Sequence, residues 1–172
     1  MKKIKNILFT EEQIQAKIKE LAQQINEIYK DEELYVVCIL KGTVIFASDL
    51  IRHLNMPLKL EFIRISSYKG STQSSGKIDA IDLSLPNLNG KNVLIVEDIV
   101  DTGYSAQFIL DYFNKNFKTK STRFCVLLNK KIKHKVQVDI DLYGFEVGDN
   151  FIVGYGFDLD EHYRNLPYIA EL

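Results

Sequence analysis

Val93, Leu94, Ile95 and Val96 form a short, mostly β-branched run, and Glu97 and Asp98 follow it without a break. Such a run reads as a strand buried on both faces of a parallel sheet, which commits the chain to helices on either side of that sheet. The two acids then sit at the strand's carboxyl end. Ligands of open α/β sheets bind outside that edge, where the next helix turns its free amides and positive dipole end towards an anion. Asp101, Thr102, Gly103, Tyr104 and Ser105 fill the turn. Thr102 and Ser105 bring hydroxyls, Gly103 lets the backbone approach closely, and Asp101 stands at the entrance as a carboxylate able to take a proton. No lysine precedes Ser105 and Gly103 is the lone glycine, so the segment matches neither GxxxxGK[ST] nor GxGxxG. It suits a single phosphate on a sugar better than a dinucleotide. Glu97, Asp98 and Asp101 crowd three carboxylates together, a repulsion usually accepted where a cation or sugar hydroxyls offset it.

The rest of the chain alternates helix and strand patterns. Thr10 and Gln13 make a capping box, and Ile14, Ile18, Leu21, Ile25 and Ile28 recur at helical spacing behind it. Leu34 to Leu40 is a buried strand, ended by Lys41 and Gly42 before a helical stretch from about Thr43 to Leu54. Leu58, Leu60 and Phe62 alternate in a further strand. The polar run Ser66 to Lys77, rich in serine and glycine, cannot bury itself and reads as a mobile loop. A strand near Ile78, a turn over Pro86 to Gly90, and a helix with Ala106, Ile109, Leu110 and Phe113 on its inner face follow in order. Thr122 to Leu128 is another buried strand, and Tyr143 to Val147 and Phe151 to Tyr155 are short ones. This order predicts an α/β fold with a mostly parallel central sheet flanked by helices.

At 172 residues the chain fits one domain spanning residues 1–172. A formal charge of -1 gives no basic excess of the kind that marks a nucleic-acid binder, although Lys130, Lys131, Lys133, His134 and Lys135 are locally basic. That run reads either as a solvated turn or as the only support for nucleic-acid binding. Cys38 and Cys125 lie inside apolar segments as small hydrophobes, with no disulfide or zinc spacing. The first ten residues lack a sustained apolar core, and nothing approaches the roughly 18 apolar residues of a membrane span. A cytoplasmic protein without membrane or nucleic-acid partners is expected.

Several further residues are candidates around this segment, Lys41, Gly42 and Lys130 at the same sheet edge. Lys41 and Gly42 can aim amides at an anion or simply end a strand. Lys130 can donate to a carbonyl oxygen or lie on the surface. Phe151 is either core or a ring that stacks on a heterocycle. Asp158 and Asp160 are solvated or reach a metal, and Arg164 clamps a phosphate oxygen or makes a surface ion pair.

Taken together, VEDIVDTG at Val96–Gly103, LKG at Leu40–Gly42, SSY at Ser66–Tyr68, LLNK at Leu127–Lys130 and the segment Gly144–Ile169 make the chain resemble the hypoxanthine-guanine phosphoribosyltransferase family over nearly its whole length. The resemblance implies the type I phosphoribosyltransferase fold, with a small hood lobe from the N- and C-terminal segments. It implies a glycosyltransferase of the pentosyltransferase class, acting in purine salvage. Phosphoribosyl would pass from phosphoribosyl pyrophosphate to a 6-oxopurine, hypoxanthine or guanine, giving IMP or GMP and pyrophosphate with Mg2+ required. The matched positions imply roles. Asp101 would handle the purine ring proton. Glu97 and Asp98 would hold ribose hydroxyls and the metal shell, and Thr102, Gly103, Tyr104 and Ser105 the 5-phosphate. Lys41, Gly42 and Arg164 would hold pyrophosphate, with an unusual cis peptide in the Lys41–Gly42 loop. Lys130 would read the 6-oxo group and exclude adenine, Phe151 would stack on the base, and Ile152 would present its backbone to the base edge. Asp158 would lie beside the base as a second metal ligand, Ser67 and Tyr68 would close as a lid, and the family's habit implies a homodimer or homotetramer. Two departures stand out: Tyr104 replaces a common lysine or asparagine, and the segment after Lys130 lacks an arginine and proline that some members carry.

Overall fold

The computed structural model describes residues 3–67 and 78–172. In chain order the elements are β1 (Asn6–Phe9), α1 (Glu11–Tyr29), β2 (Leu34–Leu40), α2 (Val44–Ile51), β3 (Leu58–Ser67) and β4 (Ile78–Asp82). There follow β5 (Asn92–Val100), α3 (Tyr104–Asn116), β6 (Ser121–Asn129), a 3-10 turn over Lys131–Lys133, β7 (Leu142–Glu146), β8 (Ile152–Val153) and β9 (Ile169–Glu171). Six strands form the main sheet in the order β4-β3-β2-β5-β6-β7, parallel except for the antiparallel edge strand β4. The N- and C-terminal segments form the expected small lobe, an antiparallel sheet ordered β1-β9-β8.

Period-two alternation assigns the two faces of the main sheet. Val36 and Cys38, Leu94 and Val96, and Cys125 and Leu127 face one core with α1 and α2. Val37 and Ile39, Val93 and Ile95, and Phe124 and Val126 face the other core with α3. The cap of α1 forms as its sequence predicts: Thr10 N donates to Gln13 Oε1 at 2.9 Å, and Gln13 N donates to Thr10 Oγ1 at 3.4 Å. Ile14, Ile18, Leu21 and Ile25 are buried behind it, each worth roughly 1.5–3 kcal/mol of apolar transfer. Ile28 departs from that stripe at 40% exposure, because Tyr29, four residues after Ile25, takes the inward position in the last turn, with its hydroxyl donating to the Val93 carbonyl.

Other boundaries differ from expectation. Helix α2 stops at Ile51, three residues before Leu54, because the chain must turn into β3, with His53 and Leu54 amides closing on Leu50 and Ile51 carbonyls. Strand β5 runs through the acids to Val100, since its pairing with β6 continues as far as Asn129. Ser66 and Ser67 extend β3 by pairing with Asp79 and Ile78, whereas Tyr68 and the rest of the polar run to Lys77 lie outside the described residues. Phe62 does not complete the alternating buried face of β3; it is 44% exposed, and Ile63 is the buried residue there. Cys38 and Cys125 are free and buried, as the sequence predicts.

Sequence order reverses between β2 and β5, so their carboxyl ends open onto the crevice of a topological switch point. The C-terminal segment packs against that point through two glycines: a Cβ on Gly156, whose φ is +100°, would stand 2.1 Å from the Gly42 carbonyl oxygen. A backbone atom cannot step aside, and positive φ adds strain for any other residue. Gly156→Ala is therefore expected to destabilise the protein by about 2–4 kcal/mol, read by urea denaturation. A loss of a few tenths would show that the two segments are not in contact in solution.

Candidate active site

Parallel pairing of β2 with β5, with Cys38 opposite Val96, brings the turn after β2 close to the acids within β5. Gly42 lies against Asp98 so closely that a Cβ there would meet the carboxylate Oδ2 at 1.7 Å. The peptide joining Leu40 to Lys41 is cis, one bond earlier than the Lys41–Gly42 link of the expected loop. Asp98 Oδ1 accepts from the Ile99 amide at 3.0 Å. Burial raises the Asp98 pKa to about 6 against the opposing pull of that amide and Arg164. Glu97 is buried, its pKa is raised well above the usual carboxylate range by burial and then by Asp98, and its Oε2 has no hydrogen-bond partner.

Two hollows meet at these acids. One, of about 570 Å³, carries Lys41, Gly42, Glu97, Ser105, Glu161 and Arg164; the other, of about 440 Å³, carries Asp101, Lys130, Lys133, Phe151 and Ile152; Asp98 and Asp158 line both. In the first hollow Arg164 donates to the Gly156 carbonyl at 2.6 Å and meets Asp158 Oδ1 at 2.8 Å. Glu161 lies between Lys41 Nζ, at 2.9 Å, and Arg164 Nη2, at 3.1 Å. Asp158 Oδ2 accepts the Glu161 amide at 2.8 Å, which fixes the carboxylate from both sides.

The second hollow gathers different chemistry. Lys130 is only 5% exposed, and its Nζ donates to the Asn150 carbonyl at 2.8 Å. Burial lowers its pKa, with Asp101 opposing and Lys133 adding to the effect. Lys133 reaches Asp101 at 3.9 Å and makes a close ion pair with Asp149. Phe151 is 51% exposed and precedes β8 rather than beginning it, so its ring is not part of the core; Ile152 is buried. The turn before α3 places Gly103 at φ +89° as a helix cap without a side chain, against Val136 and Val138. Thr102 and Tyr104 are half-buried on either side, and Lys135 N donates to the Thr102 carbonyl at 2.9 Å.

The basic run is thus divided: Lys130 is buried and Lys133 is held by acids, while Lys131 and Lys135 face outward. Asp160 is exposed and lines neither hollow. Ser67 closes β3 through its backbone, and Tyr68 lies outside the described residues. Sequence reading named Lys133 only within the basic run and passed over Glu161, Asp149 and the Asn150 carbonyl; the run LDEHYR offered Glu161 as one more acid three residues before Arg164, and nothing in it marked the distant Lys41.

For a divalent cation the fit is partial. Among the described residues no group of three His, Cys, Asp or Glu is placed to hold a metal, so Glu97, Asp98 and Asp158 do not form a complete shell. Glu97 and Asp98 nevertheless bring oxygen donors without a full cationic counterpart, which suits a hard ion that keeps waters and shares its ligands with a phosphate.

A mostly parallel sheet carries a glycine turn, an acid pair and a hydroxyl-bearing turn at its switch point, and the family model of the phosphoribosyl transferase domain matches residues 6–162, which makes the chain a phosphoribosyl transferase domain protein. The hypoxanthine-guanine phosphoribosyltransferase of Bacillus subtilis (strain 168) is 40% identical over 169 residues, covering 98% of this chain and 93% of the relative. That of Dictyostelium discoideum is 42% identical over 172 residues, covering 98% and 95%. The solved hypoxanthine-guanine phosphoribosyltransferase of Bacillus anthracis superposes with a TM-score of 0.93 at 45% identity, covering 99% of each chain. The chain belongs to the hypoxanthine-guanine phosphoribosyltransferase family.

The raised pKa of Asp98 has a measurable consequence. Folding increases its proton affinity from an ordinary 3.8 to about 6, so this contribution to stability is complete below the lower value and is lost as pH rises through the higher one. Asp98→Asn is expected to flatten the fall in stability of the metal-free protein between about pH 4 and about pH 7, measured by urea denaturation. An unchanged slope would mean that the Asp98 carboxyl is solvated.

Proposed function

We propose that residues 1–172 act as one phosphoribosyltransferase domain that moves the 5-phosphoribosyl group from phosphoribosyl pyrophosphate to hypoxanthine and guanine. The products are IMP or GMP and pyrophosphate. The observation that carries this reading is the buried Lys130 beside Asp101 and the open ring of Phe151, in a hollow that shares Asp98 and Asp158 with the neighbouring anion site. A 6-oxo group accepts a hydrogen bond from an ammonium, whereas an adenine amino group would face it donor to donor. Phe151 offers its face to the ring, and Ile152 its backbone to the base edge.

The chemistry follows from where charge develops. As pyrophosphate leaves the anomeric carbon, the ribose gains oxocarbenium-like positive charge, which Glu97 and Asp98 face as carboxylates or as acceptors for ribose hydroxyls. Asp101 takes or shares the purine ring proton and so sharpens the attacking nitrogen. Thr102, Gly103, Tyr104 and Ser105 hold the 5-phosphate with hydroxyls and first-turn amides of α3. Lys41, the Gly42 amide and Arg164 hold the diphosphate. Mg2+ fits this reading, with Glu97, Asp98 and Asp158 as the residues that would hold it directly or through water; when bound it supplies charge neutralisation to the departing diphosphate. Ser67 and Tyr68 would begin a lid that keeps water from the reacting carbon. Cytoplasmic salvage suits the small-molecule substrates, no helix among the described residues is long and apolar enough to cross a membrane, and a homodimer or homotetramer completes the reading.

The deciding experiment is a steady-state assay with phosphoribosyl pyrophosphate and Mg2+ over hypoxanthine, guanine, xanthine, adenine and uracil. Turnover of hypoxanthine and guanine is expected, and a preference for adenine or uracil would overturn the role of Lys130. Asp101→Asn should lower turnover by roughly 10²- to 10⁴-fold while sugar-phosphate binding persists; near-normal turnover removes Asp101 from proton transfer. Phe151→Leu should chiefly raise the KM for the base, and an unchanged KM would leave the ring without a stacking role.

A further inference from the structure

Lys41 and Arg164 reach the anion hollow from opposite ends of the sequence, and one side chain already engages both. Glu161 Oε1 accepts from Lys41 Nζ at 2.9 Å, and Oε2 accepts from Arg164 Nη2 at 3.1 Å and Nε at 3.4 Å. The two oxygens of a single carboxylate thus span two cations, as neighbouring oxygens of a diphosphate would. These contacts lie at the rim: the Glu161 side chain is 62% exposed and the Lys41 side chain 49%. Asp158 differs, being 29% exposed and fixed by both Arg164 Nη2 and the Glu161 amide at 2.8 Å. Asp160 and Glu161 both have positive φ, +52° and +64°, a conformation that non-glycine residues seldom adopt, and this backbone carries the Glu161 carboxylate to the cations.

We propose that Glu161 is an internal stand-in for the diphosphate, occupying Lys41 and Arg164 until the ligand displaces it. The proposal rests on the reading of this hollow as the diphosphate site. An exposed carboxylate held by an exposed lysine and a half-buried arginine is weakly bound, so a more highly charged diphosphate wins the exchange at a modest loss of affinity. The same exchange runs backwards at product release: as pyrophosphate loosens, Glu161 returns to the cations and competes with rebinding. Glu161 is therefore a positioning residue that sets diphosphate affinity and residence through Lys41 and Arg164, without touching the reacting atoms. Arg164 keeps Asp158 and the Gly156 carbonyl when Glu161 is neutralised, so its guanidinium stays in place.

The test is calorimetric titration of the full chain with inorganic pyrophosphate and Mg2+ at low ionic strength, where exposed pairs are least screened. E161Q is expected to bind pyrophosphate about 3- to 10-fold tighter than wild type, with E161D, which keeps the charge, closer to wild type. IMP, which lacks a diphosphate, serves as the second ligand and should shift by less than about twofold. Equal or weaker pyrophosphate binding by E161Q overturns the proposal, because the carboxylate would then be supporting the cations for the ligand. Equal tightening of IMP also overturns it, since the effect would be general charge. A wild-type chain that binds IMP but no pyrophosphate would instead sink the assignment of the hollow itself.

Discussion

The site depends on one packing constraint, the parallel register of β2 against β5. With Cys38 opposite Val96, the glycine turn after one strand and the acid pair within the other must share a few ångströms of space. They do so because Gly42 has no side chain, and Gly156 meets the Gly42 carbonyl on the same terms. Neither glycine is there for flexibility alone; each removes a Cβ that a neighbouring polar group has already filled. The acids themselves are unfavourable where they stand, since burial raises the pKa of both Glu97 and Asp98. That cost is offset by the fully buried Val93, Leu94, Ile95 and Val96, each contributing roughly 1.5–3 kcal/mol on the same strand.

How far the sequence disclosed this depends on whether the deciding interaction is local. Leu34–Leu40 was legible as a strand because β-branched residues buried on both faces leave few alternatives, and the α1 cap was legible because both its partners lie within one turn. The early end of α2 was not, since it answers to the start of β3 rather than to any breaker in the chain. Ile28 shows the same limit: its spacing fits the buried stripe as well as that of Tyr29 does, and tertiary contact decides that Tyr29 turns inward. At the site, Asp101, Lys130 and Phe151 could be singled out as positions at a strand edge, while their burial could not. Lys130 was as compatible with a surface turn as with its 5% exposure, and Phe151 was as compatible with the core as with its 51%. Glu161 and Lys133 were illegible for a further reason: each matters through partners distant in sequence, Lys41 for one and Asp101 for the other.

Those unread residues change how the site's electrostatics work. The two hollows bring six carboxylates, Glu97, Asp98, Asp101, Asp149, Asp158 and Glu161, against five cations, Lys41, Arg64, Lys130, Lys133 and Arg164. Near balance would be a poor design for attracting a polyanion by long-range field alone. It is a good one for exchange, because the pairs are distributed unevenly. Lys41 and Arg164 are met by an exposed acid, Lys133 by Asp101 and Asp149, and Lys130 by a neutral carbonyl, while Glu97 has an oxygen with no partner at all. Cations at the rim can therefore be given up to a ligand at small cost, whereas the acid pair lies deep, where burial favours its protonated forms and a positive centre nearby would draw out the charge. A substrate whose phosphates stay at the rim and whose sugar carbon becomes positive beside β5 meets each half of that arrangement in turn. In the proposed reaction the acid pair is kept at its energetic cost because its stabilisation is realised when charge develops on the sugar, while Glu161 and Asp158 hold Lys41 and Arg164 at the other end of the hollow.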